Sequence, residues 1–421
     1  MRFARFVALV LFAGTAARAD SIVPPFSDPD DLPVPSWARS VAPRKAEVAV
    51  YAAPGKLDAR RGSVMGGVRL PLYGAKRSGG CGGRWLEVGP LAWVCSDVAE
   101  MSPEERVPPP PIARFEDGMP FHYYFAGKDG ASAFLSLERA LEDAPDYELE
   151  PGFGLAVTEE RTAHGERWGR TRRGRWIALR ELGAAHPSGF HGEELDGALD
   201  VAWVVGERAS VYSTNKADKV AETRLHFQSV RVREEIASAG GAMLRISDDG
   251  APPLWVRAKD VVRPTLATPP DEVGGIDARE RWIDVDLVTQ TLVAYDGARP
   301  VFATLVSSGV GPRGSETATP PGTHRIWVKL FTTSMDNLER EDADRHYSIE
   351  DVPWVMFFDK AVALHGAFWH REYGHVHSHG CVNLAPLDAR RLFEWTAPHL
   401  PAGWSAAFPT PIEKGTAVRV R

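Results

Sequence analysis

The chain has 421 residues, of which 44% are hydrophobic and 25% are charged, a composition typical of a globular protein with two to four domains. The formal net charge is −7, and the sequence contains no Lys/Arg-rich run. Because a phosphate backbone requires a basic surface, we expect no nucleic acid partner. We also expect no transmembrane segment, since no later stretch reaches the roughly 20 apolar residues of a spanning helix.

The N-terminal residues predict export. Arg2 and Arg5 supply positive charge, residues 6–13 are apolar, and Ala17-Arg18-Ala19 has the pattern of a signal-peptide cleavage site. A buried N-terminal helix or a membrane anchor is the alternative, but the apolar run is far below the roughly 20 residues that a spanning helix needs. We therefore expect residues 1–19 to be a signal peptide and the mature protein to lie in the periplasm or cell wall.

Three cysteines should divide into a pair and a leftover in an oxidising compartment. Cys81 and Cys95 flank residues 85–94, which alternate and turn like a β-hairpin. We expect these two to form a disulfide. Cys381 is then unpaired, and it is either a reactive thiol or a buried passenger.

Pro-rich stretches at residues 23–35, 107–111 and 263–270 lack hydrophobic periodicity and indicate linkers or domain edges. After the signal peptide, the predicted divisions are a Pro-rich linker at 20–43, a small β block at 44–102, a middle block at 112–200, a second small β block at 201–264 and a C-terminal block at 276–421.

The two small β blocks share a layout. Val50-Tyr51 matches Val211-Tyr212, and residues 91–98 match residues 253–262 in their Trp, Val and Asp positions. Both blocks resemble bacterial Src-homology-3-like modules, which are often attached to cell-wall enzymes; a generic small β domain is the alternative. None of the blocks before Arg263 contains a Cys/His cluster, so we expect them to position the protein on the cell wall and to contribute little chemistry.

The middle block carries a helical candidate at Ala131–Glu142, because its large apolar residues cluster near one helical face. A second feature is a basic and aromatic run at residues 168–176. It indicates either a patch that faces a polysaccharide or, more simply, a solvated hairpin with buried tryptophans. Neither pattern assigns this block a function.

The C-terminal block changes to alternating strands at residues 282–288, 290–295 and 300–306, with Asp296-Gly297 as a turn signal. Residues 388–396 are the helical candidate, preceded by Pro386 at a helix start. The predicted fold class is mainly β with some helix, built from small β-barrel modules and a β-rich C-terminal domain.

Residues 365–383 contain five of the thirteen histidines and Cys381. A thiol attacks as thiolate, so a nucleophilic cysteine needs an imidazole, and His365 and His379 are the obvious suppliers. Gly380 lets backbone N–H groups approach an incoming carbonyl, as in an oxyanion hole. Alternatively, an extended strand would put alternate residues from His375 to Cys381 on one face, as zinc ligands, although Gly380 weakens a strand.

The pair His365-Gly366, followed by residues 378–383 (SHGCVN), resembles the active-site signature of the L,D-transpeptidase catalytic domain, also called the YkuD domain. Upstream, residues 319–324 (TPPGTH) resemble the T-P-x-G stretch of that family, and residues 352–358 resemble the strand before its first histidine. Two features depart from the pattern. Only twelve residues separate His365 from Ser378, and Asn383 stands where many members carry Arg.

The resemblance implies attack on an L-centre of a tetrapeptide stem, with Cys381 forming a thioester and His365 acting as base; His379 stays open as the alternative base. The implied catalytic residues are Cys381, His365, His379, Gly380 and Ser378. The implied substrate-binding residues are Asn383, Gly366, Trp369 and Met356. It implies peptidoglycan stem peptides as partners and neither a cofactor nor a metal.

Three functions remain open at this point: an L,D-transpeptidase, an L,D-carboxypeptidase that passes the same acyl group to water, and a non-catalytic wall-binding protein. The intact Cys/His signature argues against the last. The nucleophile does not distinguish the first two, because that choice depends on how well the acceptor cleft excludes water.

Overall fold

The computed structural model describes residues 30–106, 115–238, 240–274, 279–339 and 346–421. The predicted signal peptide and the predicted linker at 107–111 lie outside the described residues. The described part is mainly β, with short helices, so the predicted fold class is confirmed. Within it, none of the helices is long and apolar enough to cross a membrane.

The first module is a small β unit with its own core. Its strands are β1 (Asp31–Leu32), β2 (Ser40–Pro43), β3 (Glu47–Tyr51), β4 (Arg60–Met65), β5 (Gly74–Lys76), β6 (Trp85–Gly89), β7 (Ala92–Cys95) and β8 (Ala99–Ser102). Strand β2 pairs with β8, and Val41 is fully buried. The module therefore begins before residue 44, and residues 40–43 are not linker. A disulfide joins Cys81 to Cys95, with the Cα atoms 5.6 Å apart.

The middle domain is also β-rich. Its elements are β9 (His122–Ala126), β10 (Ala131–Phe134), α1 (Leu137–Leu141), β11 (Tyr147–Leu149), β12 (Gly154–Ala163), β13 (Glu166–Thr171), β14 (Trp176–Ala178), a 3₁₀ turn (Leu179–Glu181) and β15 (Leu182–Ala184). The helix predicted over residues 131–142 is wrong in its first half. There, β10 pairs with β11 and β14 and buries Ala131 and Ala133, so sheet packing overrides the helical pattern.

The second module repeats the first. Its strands are β17 (Val201–Trp203), β18 (Arg208–Tyr212), β19 (Val220–Leu225), β20 (Ser229–Arg231), β21 (Glu234–Ile236), β22 (Met243–Arg245) and β23 (Trp255–Arg257). Tyr212 lies opposite Trp255 as Tyr51 lies opposite Trp93. A bulge precedes both tyrosines in the pairing with the next strand. The structure therefore extends the sequence repeat to strand register.

The C-terminal domain is two sheets with a helix packed between them. Its elements are β24 (Arg281–Asp286), β25 (Thr291–Asp296), β26 (Arg299–Leu305), β27 (Gly322–Arg325), β28 (Val328–Asp336), β29 (Ser348–Asp359), β30 (Val362–Gly366), β31 (Val382–Leu384), α2 (Pro386–Trp395), β32 (Trp404–Ala407) and β33 (Ala417–Val420). One sheet runs β26-β25-β24-β33-β27, and the other contains β28, β29, β30 and β31. Residues of both sheets and of α2 form one buried cluster.

The preceding blocks are joined to this domain through its sheets. Strand β4 of the first module pairs with β32, and β12 of the middle domain meets β29. A short strand, β16 (Glu193–Glu194), pairs with β26. Residues 193–194 therefore extend the C-terminal domain's sheet and do not belong to a middle block that ends at residue 200.

Candidate active site

Two neighbouring parallel strands carry the site. His365 lies on β30 opposite Asn383 on β31, and Cys381 comes immediately before β31. The Cys381 thiol lies beside the start of β30, with Sγ 3.8 Å from the carbonyl oxygen of Ala361. The pairing of β30 with β31 therefore places His365 and Cys381 on neighbouring segments of the sheet, although they are well separated in the sequence.

The loop before Cys381 is held by hydrogen bonds from two directions. The Ser378 hydroxyl accepts from the Gly380 N–H at 3.2 Å and donates to the Cys381 carbonyl. The Thr319 hydroxyl donates to the Gly380 carbonyl at 2.8 Å and accepts from the Gly309 N–H at 2.9 Å. Gly380 has φ +121°, a conformation that strongly favours glycine. Ser378 and Gly380 therefore shape the loop, as does Thr319 from the T-P-x-G stretch.

His365 is buried and neutral. Only 1% of its surface is exposed, and burial lowers its pKa to about 4, against a smaller opposing effect of the hydrogen bond to Gly366. Nδ1 lies 3.2 Å from the Gly366 carbonyl oxygen, which can only accept, so Nδ1 carries the proton. The Nε2 lone pair is then free to take a proton.

The Cys381 thiol is half-buried. Burial raises its pKa, and a hydrogen bond from the Ala363 backbone opposes that shift. In the part of the chain that the structure describes, the thiol makes no hydrogen bond to an imidazole. A neutral thiol beside a neutral imidazole is therefore the resting state that these environments favour.

His379 occupies a different environment from His365. Its side chain is exposed, and its ring lies 5.9 Å from the ring of Tyr347. His365, in contrast, is fixed on the strand next to Cys381. Of the two candidate bases, the geometry favours His365.

The histidine run does not form the predicted alternative metal site. Residues 375–377 are not in a strand, so the alternating face that would present them together is missing. Among the described residues, the His, Cys, Asp and Glu side chains close enough to share an ion are Cys81, Cys95 and Asp97. That group is not a ligand set either, since its two sulfur atoms are already bonded to each other.

The predicted substrate-binding residues separate into two groups. Trp369 is half-buried and stacks on the His365 ring at 5.7 Å, and the Gly366 carbonyl orients that ring. Asn383 is buried, and its side-chain amide lies 2.9 Å from Nε2 of His370.

Met356 is fully buried in the core between the sheets, with its sulfur accepting from the Thr396 hydroxyl. The prediction for Met356 is therefore wrong, because its side chain lies inside the core between the two sheets.

Sequence reasoning missed the middle domain as part of this site. Its residues Met119 and Tyr123 belong to the same apolar cluster as Phe368, against which Trp369 and Cys381 pack. The ring of Tyr123 lies 4.3 Å from the ring of Phe368. This domain therefore packs against the residues around Cys381, while the hypothesis that the preceding blocks contribute little chemistry stays a prediction. No local signal could reveal the contact, since more than 200 residues separate Tyr123 from Phe368.

The middle domain is also fixed to the C-terminal domain by polar contacts. Arg172 donates to the Asp351 carboxylate at 2.6 Å, and the Trp354 indole N–H donates to the Gly118 carbonyl at 2.8 Å.

The basic and aromatic run at residues 168–176 takes part in the same interface. Arg175 pairs with Glu350, while Trp168 and Trp176 are buried. The basic and aromatic run is therefore a hairpin that docks on the C-terminal domain.

A cysteine directly before a strand, a buried histidine on the neighbouring parallel strand and a glycine turn before the cysteine are an arrangement that a thiol nucleophile could use. Residues 280–420 match the family model of the L,D-transpeptidase catalytic domain, YkuD. The predicted catalytic domain is thereby confirmed at this level. No family match covers the two small β modules, so their Src-homology-3-like character stays a prediction.

Solved structures similar to this chain include L,D-transpeptidases from two organisms. A mutant Enterococcus faecium enzyme is 25% identical, over 34% of this chain and 50% of that chain, with a TM-score of 0.26. The catalytic domain from E. faecium is 26% identical, over 34% of this chain and 98% of that one, with a TM-score of 0.26. L,D-transpeptidase 3 from Mycobacterium tuberculosis is 14% identical, over 46% and 93%, with a TM-score of 0.27.

This chain spans about half the length of the first of these structures. Among curated proteins, no significant match is found. The family model, which covers the C-terminal third of the chain, is therefore what identifies the domain.

Proposed function

We propose that this protein is an exported peptidoglycan L,D-transpeptidase that works through a thioester on Cys381. The observation that carries the proposal is the placement of His365 on β30 and of Cys381 directly before the paired strand β31, in a domain that matches the family. The substrate would be a tetrapeptide stem, and the attacked carbonyl would belong to the L-centre that precedes the terminal D-residue.

In the acylation step, the Cys381 sulfur attacks this carbonyl while Nε2 of His365 takes the thiol proton. The Cys381 backbone N–H holds the oxyanion of the tetrahedral intermediate, because the Gly380 N–H already donates to the Ser378 hydroxyl. The intermediate then collapses, the C–N bond to the D-residue breaks, and His365 returns the proton to the leaving amine. A thioester and a free D-amino acid result.

In the second step, an amine from another stem takes the place of the departed D-residue. His365 removes a proton from this amine as it attacks the thioester carbonyl, and the thiolate leaves and recovers the proton. A new peptide bond joins the two stems and the free thiol is restored. Water in place of the amine would give hydrolysis by the same route.

The pKa directions support proton transfer during attack rather than a preformed ion pair. Burial raises the pKa of the Cys381 thiol and lowers the pKa of His365 to about 4. Acylation should therefore keep a constant rate from about pH 5.5 to pH 8 and fall as His365 is protonated near pH 4. A rate that rises tenfold between pH 6 and pH 8 would instead indicate a thiolate that forms before attack.

The test uses the purified chain with disaccharide-tetrapeptides, with products resolved by mass. We expect loss of the terminal D-residue and a cross-linked dimer, and neither product from Cys381→Ala. His365→Ala should slow acylation by about 10² to 10⁴, the usual range for a lost general base. Turnover by Cys381→Ala at the wild-type rate would refute the proposal, and a tripeptide product without dimer would change it to a carboxypeptidase.

A carbapenem offers a second probe, because its strained β-lactam carbonyl is an electrophile for an activated thiol. Intact mass should show one adduct per chain, located on the peptide that contains Cys381. An adduct elsewhere, or none under conditions where a simple thiol reagent labels Cys381, would contradict the activated thiol.

A further inference from the structure

A surface cavity lies between the second module and the segment that leads into it. Its volume is about 540 Å³, within the range of roughly 300–1,000 Å³ that is typical of small-molecule sites. Its lining includes residues of that segment and of the turn between β19 and β20: Phe190, His191, Arg224, His226, Phe227 and Gln228. The chemistry proposed at Cys381 uses none of these side chains.

A column of aromatic rings runs from this cavity toward the C-terminal domain. The centre of the exposed His226 ring lies 3.7 Å from that of Phe227, which lies 4.6 Å from that of Phe190. The Phe190 ring stacks at 5.9 Å on Tyr373, in the loop between His365 and Cys381. Ring contacts therefore connect the cavity to the loop that leads to the nucleophile.

Phe227 has a backbone conformation that a bulky residue rarely adopts, with φ +66°. The first module has Gly67 at the corresponding position, two residues after the end of the equivalent strand, with φ +80°. Glycine takes this conformation without strain, so the second module keeps a ring here at a cost in backbone energy. Strained residues are concentrated at ligand-binding sites, and this one lines the cavity.

The charged side chains of the cavity are already paired within the protein. Arg224 lies 2.7 Å from the Glu222 carboxylate, and Glu193 lies 3.3 Å from the Arg231 guanidinium. A charged ligand would have to compete with these pairs. The cavity is therefore better suited to an uncharged ligand.

The remaining polar groups offer both acceptors and a donor. Nδ1 of His191 and Nδ1 of His226 lie 3.0 and 3.1 Å from backbone carbonyl oxygens, so each neutral ring keeps Nε2 as an acceptor. The Gln228 side-chain oxygen accepts from the Leu225 N–H at 2.7 Å, which leaves its NH₂ group as a donor. Within the described ranges, these two Nε2 atoms and this NH₂ group have no protein partner. Hydroxyl groups, which both donate and accept, match this set.

We propose that this cavity binds a sugar unit of a glycan strand. The apolar face of the sugar would lie against the rings of His226 and Phe227, and its hydroxyl groups would donate to Nε2 of His191 and His226. The Gln228 NH₂ group would donate to a sugar oxygen. That the sugar belongs to peptidoglycan rests on the proposed function, whereas the binding site itself does not.

The test is an NMR titration of the full chain carrying Cys381→Ala, labelled with ¹⁵N-histidine. The probe is a β-1,4-linked N-acetylglucosamine tetramer, which has no stem peptide. We expect saturable shifts of the His191 and His226 ring nitrogens, assigned by single substitutions. His191→Ala and Gln228→Ala should each weaken binding about fivefold to tenfold, as for one lost hydrogen bond.

The matched control is His186→Ala, an exposed histidine on the same segment, which should bind the tetramer with unchanged affinity. The absence of saturable shifts would overturn the inference, as would equal weakening by His186→Ala and His191→Ala. Saturation by a free tetrapeptide stem but not by the tetramer would also overturn it, because the cavity would then be a peptide site. Since the titrated chain lacks the nucleophile, its result is independent of whether the wild type proves to be a transpeptidase.

Discussion

The two small β modules share their strand pairings but serve different parts of the C-terminal domain. The first is joined edge to edge, through the pairing of β4 with β32, and Trp404 of β32 completes its core. The second packs on the loop between His365 and Cys381. There Phe227 lies 6.2 Å from the Tyr373 ring, and Val205 lies against Gly374.

The same small β fold therefore has two different roles, and the part of the C-terminal domain that each module contacts decides its role. The first module extends a sheet away from the site, so damage to it should reduce stability and leave the chemistry intact. The second supports the loop that carries His370 and leads to Cys381, so damage to it should reach the chemistry. The predictions below separate these two outcomes.

The largest expected effect is on the stability of the first module. Replacing both Cys81 and Cys95 by Ala opens a loop of about 15 residues, which costs roughly 3 kcal/mol in the chain-entropy model. Urea unfolding of the full chain, followed by first-module tryptophan fluorescence, should show an earlier transition. Carbapenem acylation below that transition should keep its wild-type rate, and a slower rate would mean that the first module also acts on the site.

The second prediction concerns the loop contact of the second module. Gly374 has φ +92°, and a Cβ there would lie 2.7 Å from Cγ1 of Val205. Gly374→Ala should push the loop out of place and slow acylation about tenfold to hundredfold, the cost of a displacement of roughly 1 Å.

The matched control is Gly67→Ala in the first module, where φ is +80° and a Cβ would meet no atom within 4 Å. It carries the same backbone cost without the clash, so its acylation rate should stay normal. Adding Val205→Ala to Gly374→Ala should recover part of the rate. If Gly67→Ala and Gly374→Ala slow acylation equally, backbone strain alone explains the effect and the contact with Val205 does not.

A third, smaller effect is expected where the first module meets the C-terminal domain. The Arg61 guanidinium donates to the Phe408 carbonyl at 3.1 Å and lies over the Trp404 ring at 5.4 Å. Arg61→Met keeps the apolar stem but loses the hydrogen bond, which should cost about 1–2 kcal/mol of unfolding free energy. Arg44→Met, which breaks an exposed pair with Glu100, should cost less than about 1 kcal/mol; equal losses would contradict the interface role of Arg61.

The smallest effect is a pH dependence at the segment that leads into the second module. The buried Asp388 carboxylate accepts from the Gly192 N–H at 2.8 Å and from the Thr304 hydroxyl. Burial raises its pKa to about 7, and these hydrogen bonds oppose that shift. Because the folded pKa exceeds the unfolded one, this group stabilises the fold at acid pH, and the contribution is lost as pH rises through about 7.

Asp388→Asn should remove that dependence. Between pH 6 and pH 8, wild type should lose about 1 kcal/mol more unfolding free energy than the variant, because about one unit of this window lies below the folded pKa and each unit is worth 1.36 kcal/mol. Chemical denaturation at the two pH values measures the difference. Parallel losses in wild type and variant would show that Asp388 does not titrate in this range.

The sequence by itself determined what is local. The SHGCVN segment, the Asp296-Gly297 turn and the helix start at Pro386 are short patterns whose residue types dictate chemistry or backbone conformation. The same holds for the repeat of Val50-Tyr51 in Val211-Tyr212, since identical positions in a strand make identical cross-strand pairs.

Only the tertiary structure decided what depends on distant partners. It buried His365 but not His379, and it placed Met356 in the core. It also paired residues 131–134 with β11 and β14 as a strand, where the sequence pattern had predicted a helix. It also brought Tyr123 of the middle domain into the cluster against which Cys381 packs. These outcomes follow from long-range packing, which outweighs local propensity wherever a residue can be buried in more than one way.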